Sequence, residues 1–462
     1  MRIRKYDFDY SRRSFLEKVA TGAGAGVLAP LWPTIANSTT NISKAYPDEL
    51  LSIEVQTKGK IKPGDVLTEA NVDHVKNLLD PIAYQQVKTM GRRIKIKESI
   101  TDMTKMYNNT YLELTLKNRG RAGFDKDGNL WTDGKTGNHW LGGLPFPDAK
   151  DGAEACANIT MNWGRHDFSM YAIPFWSMGP DGELGYKHEL VWLEQQVTGR
   201  NDGKVLNNFG DKLRFNNALF TGPQDVQGSS FLSIWYADAR KFPDLYGYFP
   251  AFKRVRQFPT NQRFEPLVPG ITFFLSDAWG AGDPMLTWGN YKLVERRPML
   301  GPCSGSANWY GGRDPNWLAP FHGGAKGKTF CEKTFELIPE VLVFDAEPIG
   351  YPRAPVGRRR TWLDVRNGTM VTQVTYDRRG QLWKQIEFGT GQLKNEKAEI
   401  KDEKGYPEWS WNCAQFHDIQ SNRMTQIRLA KEVGGYQSRF SEAGEDVYNK
   451  FMTTSAINRL GR

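Results

Sequence analysis

The sequence predicts a mainly β chain built on one large, curved antiparallel sheet with a few helices. Three observations predict it. Strand-like runs recur over some 300 residues without helices alternating between them. Between Arg359 and Phe388 three such runs follow one another through short turns, which describes a meander. The 46 Gly and 25 Pro have no fixed period, and aromatics make up 13% of the chain, a turn-rich composition with bulky residues suited to pleated surfaces. With 24% charged residues the 462-residue chain is not intrinsically disordered, and no apolar run reaches the length of a spanning helix.

In chain order, Ser11-Arg12-Arg13-Ser14-Phe15-Leu16 followed by a Gly/Ala-rich stretch reads as a twin-arginine export signal. Thr34-Ile35-Ala36 places cleavage after Ala36, and the lack of a nearby Cys predicts a periplasmic chain without a lipid anchor. Residues 1–36 carry a net +3 of the chain's +9, so the remainder is only mildly basic, which excludes a nucleic-acid binder. Residues 37–63 read as an extended lead-in, 64–440 as the β domain and 441–462 as a helical tail that frays. Val72, Val75, Leu78 and Leu79 form an apolar stripe with Thr68 as its cap, ended by Asp80-Pro81, and a second short helix runs from Ile82 to Met90. Tyr111–Lys117 alternates Leu with polar residues and predicts a strand. Phe124–Trp131 is a hairpin turning at Asp127-Gly128. Further strands are expected at Ile271–Ser276, Tyr291–Glu295, Val341–Ala346 and Met424–Leu429. In the meander, Met370, Val374 and Tyr376 should share one face, as should Leu382, Ile386 and Phe388.

No nucleophile elbow, phosphate loop or Cys/His metal spacing occurs, so neither a catalytic residue, a metal nor a cofactor is assigned. The six His are scattered. Cys156, Cys303, Cys331 and Cys413 allow three pairings, and the Gly/Trp-rich stretch between Cys303 and Cys331 makes that pair the expected disulfide. The aromatic surplus on β-patterned sequence reads either as core or as rings lining a sheet that shelters an apolar ligand. Trp235, Tyr248, Phe273, Trp279, Trp288 and Trp309 are the candidate lining residues, and Arg254 and Arg256 a candidate anionic seat. Asp345 and Glu347 share a strand face and offer the alternative, an enzyme using a carboxylate pair on a glycan or aromatic substrate.

Two segments carry a family resemblance. Tyr246-Gly247-Tyr248-Phe249-Pro250 with Arg254-Val255-Arg256-Gln257-Phe258-Pro259 is similar to a "Tyr-x-Pro…Arg-Arg-Val-Arg" motif. Arg359-Arg360-Thr361-Trp362-Leu363-Asp364 with Tyr376-Asp377-Arg378-Arg379-Gly380-Gln381-Leu382-Trp383-Lys384 resembles "Arg-x-x-x-x-Asp…Tyr-Asp-x-x-Gly-x-Leu-Trp-Lys". Both belong to the exported domain of unknown function thirteen twenty-nine, which is lipoprotein-sorting-like. Its resemblance to the LolA/LolB carriers implies a half-open barrel whose hydrophobic cavity is plugged by helices. It also implies traffic of hydrophobic compounds alongside an RND-type transporter and an outer-membrane protein, and the chain is expected to be a monomeric carrier of a lipid-like or aromatic ligand. Gly301–Lys333 departs from the family pattern, so ligand identity does not transfer.

Overall fold

Long strands that are buried along most of their length pair into a single sheet of sixteen. In this computed structural model the described residues are 2–3, 10–11, 41–43, 46–259, 263–277, 283–302, 305–440 and 444–461. Arg12, Arg13, Ala36, Trp279 and Cys303 lie outside them. The sheet strands are β1 (Val66–Leu67), β2 (Ile94–Lys97), β3 (Phe168–Met178), β4 (Leu184–Gln196), β5 (Lys212–Gly222), β6 (Ser230–Tyr236), β7 (Asp244–Phe249) and β8 (Arg254–Phe258). They continue as β9 (Gly289–Pro302), β10 (Thr334–Glu347), β11 (Val356–Asp364), β12 (Thr369–Asp377), β13 (Leu382–Gln392), β14 (Trp409–Asp418), β15 (Arg423–Arg428) and β16 (Arg439–Phe440). The order is β8-β7-β6-β5-β4-β3-β15-β14-β13-β12-β11-β10-β2-β1, with β9 also on β10 and β16 also on β3. All pairs are antiparallel except β2 with β10. The edge strands β8 and β1 do not pair, so the sheet stays open.

One apolar cluster joins Phe231 and Leu245 near one edge to Leu342 and Leu363 near the other, so the sheet curls around a common interior. What fills that interior is only partly helical. Helix α2 (Asn109–Lys117) contributes Tyr111 and Leu112, and α3 (Gly152–Thr160) contributes Ala155 and Ile159. The non-helical segment 263–277 adds Val268, Ile271 and Leu275. The outer face is covered by α1 (Pro81–Thr89) and by the C-terminal helices α4 (Glu445–Phe451) and α5 (Thr454–Leu460).

Several elements differ from their sequence reading. Tyr111–Lys117 is not a strand but most of α2, because Asn108 Oδ1 caps the Tyr111 N–H (3.2 Å) and Thr115 bonds back to the Tyr111 carbonyl. The Val72–Leu78 stripe is a 3₁₀ helix, whose three-residue turn stacks i, i+3 and i+6. Asp80 caps α1 through the Ile82 and Ala83 N–H groups, with Pro81 at its first position. Within the meander, Met370 faces the interior while Val374 and Tyr376 pack outside, because an extra residue at Val371 shifts the register against β11. A second bulge, at Trp383, separates Leu382 from Ile386 and Phe388 in the same way. The described part of the tail stays helical to Leu460: Thr453 caps α5, and Ile457 is buried against Leu232 and Tyr248.

Candidate ligand site inside the sheet

Residues 263–277 form an Ω loop whose ends meet, the Ser276 N–H donating to the Arg263 carbonyl at 2.9 Å. Apolar side chains on this loop replace the strand pairing expected at Ile271–Ser276. Ile271, Phe273 and Leu275 lie on the inner sheet face, where Phe273 packs on Phe416 with ring centres 4.5 Å apart. Gly270, at φ +82°, passes so close to Tyr186 that a Cβ would fall 2.3 Å from its ring. The loop is pinned to the sheet by polar bonds. Thr272 Oγ1 donates to the Phe416 carbonyl (2.7 Å), and its N–H donates to Thr425 Oγ1 (3.0 Å). Arg359 donates to the Ser276 carbonyl (2.7 Å) and Oγ (2.9 Å) and pairs with Asp277, which Lys384 approaches to 3.4 Å. Beneath the loop a wholly apolar cavity of about 20 Å³ remains, walled by Phe175, Trp192, Phe220 and Ile427.

A second cavity, of about 30 Å³, opens at the end of the sheet where β12 begins, β13 ends and β14 begins. Trp163, Tyr171, Phe388, Trp409 and Trp411 wall it, together with Asn162 and Arg165 from the segment after α3. Trp409 and Trp411, two apart on β14, reach it together. Arg165 sits at φ +62°, an uncommon backbone state for a side-chain-bearing residue. Its guanidinium lies 5.4, 5.2 and 4.6 Å from the ring centres of Tyr107, Tyr111 and Trp409. Burial lowers the pKa of Arg165 and raises that of Tyr111 to about 12. A third cavity, of about 40 Å³, lies under Trp288, Tyr291 and Phe344; Ile159 walls it as well as the second.

The residues singled out from the sequence do not meet at one place. Phe273 and Trp288 line two of the cavities. Trp309 is buried in the same interior cluster against Trp317. Trp235 is buried near Arg214 and Arg263, at 4.1 and 5.6 Å. Tyr248 is on the outer face beneath α5. Arg254 and Arg256 are exposed on the edge strand β8, where Arg256 covers Phe252. Sequence reasoning missed Asn162 and Arg165. The only signal was the run Trp163-Gly164-Arg165 after a capped helix, matched by Trp409-Ser410-Trp411 far along the chain.

A family model described as a protein of unknown function, DUF1329, matches residues 66–458. The chain belongs to this family. No curated protein matches the chain. Among solved structures it is similar to a DUF1329 family protein from Desulfovibrio piger, with 14% identity over 66% of this chain and 99% of that one and a TM-score of 0.43. It is similar to a putative outer membrane lipoprotein-sorting protein domain from Vibrio parahaemolyticus, with 17% identity over 67% and 97% and a TM-score of 0.42. It is also similar to a LolA superfamily protein from Nitrosomonas europaea, with 10% identity over 65% and 98% and a TM-score of 0.38.

The DUF1329 chain should lose stability in mild acid. Burial holds His166, His322 and His417 at about 4, against an ordinary value near 6.5. The unfolded chain therefore binds more protons than the folded one between those pH values. Stability from these groups is complete above about pH 6.5 and is lost as pH falls toward 4, by up to roughly 3 kcal/mol each. Asp80, raised to about 6 by burial, acts in the opposite direction over part of the range, as do the carboxyls of Glu154, Asp167, Glu336 and Glu340, which burial also raises. His139 and His188, lowered by burial, add to the loss. A melting temperature that is flat from pH 7 to 4.5 would contradict this.

The cysteines carry a second expectation. Cys331 and Cys413 are buried free thiols hydrogen-bonded to each other; the bond from Cys413 lowers the Cys331 pKa to about 6, with Arg428 and Lys333 adding to it. Mild oxidation with diamide should join these two, and peptide mapping should recover them as one linked pair with Cys156 still alkylatable. A Cys303–Cys331 link found instead would restore the pairing that the sequence suggests.

Proposed function

We propose that this protein is a carrier that holds a hydrophobic, lipid-like or aromatic molecule against the inner face of its sheet. The observation that carries the reading is the Ω loop. Its apolar side chains cover an apolar wall, and the polar bonds described for it lie at its ends and at Thr272. A ligand that replaced Ile271, Phe273 and Leu275 would meet the same wall, and burying each such group is worth about 1.5–3 kcal/mol. Three small cavities around one apolar cluster leave unfilled space in that interior. The twin-arginine segment supports action in the periplasm, and the family resemblance supports delivery to an RND-type transporter and an outer-membrane protein.

The carboxylate pair gives the enzyme alternative little to work with. Both Asp345 oxygens accept from Arg360 (2.7 and 2.9 Å), and Glu347 accepts from Asn290 on the surface. The carrier reading is tested by native mass spectrometry of the protein purified from cell envelopes, followed by organic extraction. A retained apolar compound, displaced by the environment-sensitive dye 1-anilinonaphthalene-8-sulfonate, is expected. Protein that emerges empty and leaves the dye dark in water would end the proposal.

A further inference from the structure

We propose that Arg165 seats the carboxylate of an acid with an apolar body, so that the carried molecule is anionic at one end; this rests on the carrier reading. Arg165 is 4% exposed, and no described carboxylate pairs with it. Asp364 instead pairs with Arg366 at 2.7 Å, and Glu408 faces His166 at 3.6 Å. Its Nη2 donates to the Asn367 carbonyl (2.5 Å) and to Thr369 Oγ1 (2.8 Å), and three aromatic rings surround the guanidinium. Those contacts fix the group but leave Nη1 buried without a partner.

The same wall holds further unmet polar atoms. Neither amide atom of Asn162, a residue 2% exposed, has a hydrogen-bond partner, and neither has Trp409 Nε1. A buried cation without a counter-ion and donors without acceptors are each costly to leave unmet. One small anion answers the donors among them, Arg165 Nη1, Asn162 Nδ2 and Trp409 Nε1, since a carboxylate has about four acceptor positions. The cavity of about 30 Å³ beside Arg165 leaves room for a small polar group. The apolar body has two ways onward. Ile159 separates this cavity from the one under Trp288, and Phe388 packs on Phe416, which walls the Ω-loop cavity.

The test measures binding of palmitate, methyl palmitate and benzoate to the whole protein, to Asn162→Asp and to Arg165→Met. Palmitate should bind wild type roughly tenfold or more tightly than its ester, the size of one charge-assisted hydrogen bond. Asn162→Asp supplies the missing anion from within, so it should abolish that preference and raise the melting temperature. A damaged pocket would not raise it. Arg165→Met should lose the preference too. Equal binding of palmitate and ester to wild type overturns the anion seat and leaves the carrier standing. Benzoate bound by wild type and lost in Asn162→Asp, with neither long-chain ligand bound, upholds the seat and ends the lipid-like form of the carrier reading. No binding of any of the three, or acid preference surviving in Asn162→Asp, overturns the seat.

Discussion

Glu387→Ala destabilises the protein by about 3–5 kcal/mol, the cost of stranding buried charge, and urea unfolding reads the loss directly. Glu387 lies on β13, 1% exposed, between Arg92 from the segment after α1 and Lys333 just before β10. Arg92 donates to both its oxygens (2.5 and 3.0 Å) and Lys333 Nζ reaches one at 2.8 Å. Although burial alone would raise the Glu387 pKa, the two cations hold it at about 2. Alanine there leaves Arg92 buried against Phe330 and Phe335, and Lys333 buried beside it, without their shared carboxylate. Glu387→Gln keeps the shape and one acceptor oxygen, so it should fall between alanine and wild type. The partner double variant Glu387→Gln/Arg92→Met should recover part of the loss relative to alanine, because it removes one of the two stranded cations and leaves Lys333 an amide oxygen to meet. If alanine costs under 1 kcal/mol, the cluster is not what ties the N-terminal helices to the sheet.

That cluster shows what a sequence can and cannot reveal. The meander was legible because its turns are written locally: Gly368 and Gly380, at φ +65° and +77°, close it as Asn-Gly and Arg-Gly turns. Its faces were not, because a bulge at Val371 or Trp383 depends on how the neighbouring strand is aligned, and one extra residue reverses every side chain beyond it. Tyr111–Lys117 satisfies a period of two as well as one turn of helix, and only the Asn108 cap decides between them. The ring-lined interior was visible as aromatic surplus. Its polar element was not: the positive φ of Arg165 and its meeting with Trp409 arise from tertiary packing alone. Exposed Arg254 and Arg256 attracted notice as a cluster, whereas an isolated buried arginine leaves no mark in composition.

Asp277→Asn should release the Ω loop and speed ligand exchange several-fold while leaving the sheet intact. Asp277 is the only acidic side chain described in the loop that both Arg359 and Lys384 engage, and all three are buried. The amide keeps the shape but removes the charge, which weakens bonds worth about 1.5–3 kcal/mol each and leaves two cations short of a partner. The apolar contacts of Ile271 and Leu275 persist, so the loop still closes, only less often. A ligand gains from that shift only insofar as it prefers the open form, since a change in loop population cannot help a molecule that binds both forms alike. Amide hydrogen exchange separates the possibilities: protection should fall across residues 263–277 and remain unchanged in β12, β13 and β14. Dye uptake should accelerate in parallel. Faster exchange in the loop with unaltered uptake would mean that the ligand enters elsewhere, through the mouth beside Arg165. Protection lost throughout the sheet would show instead that Asp277 is a structural tie and that the loop does not move on its own.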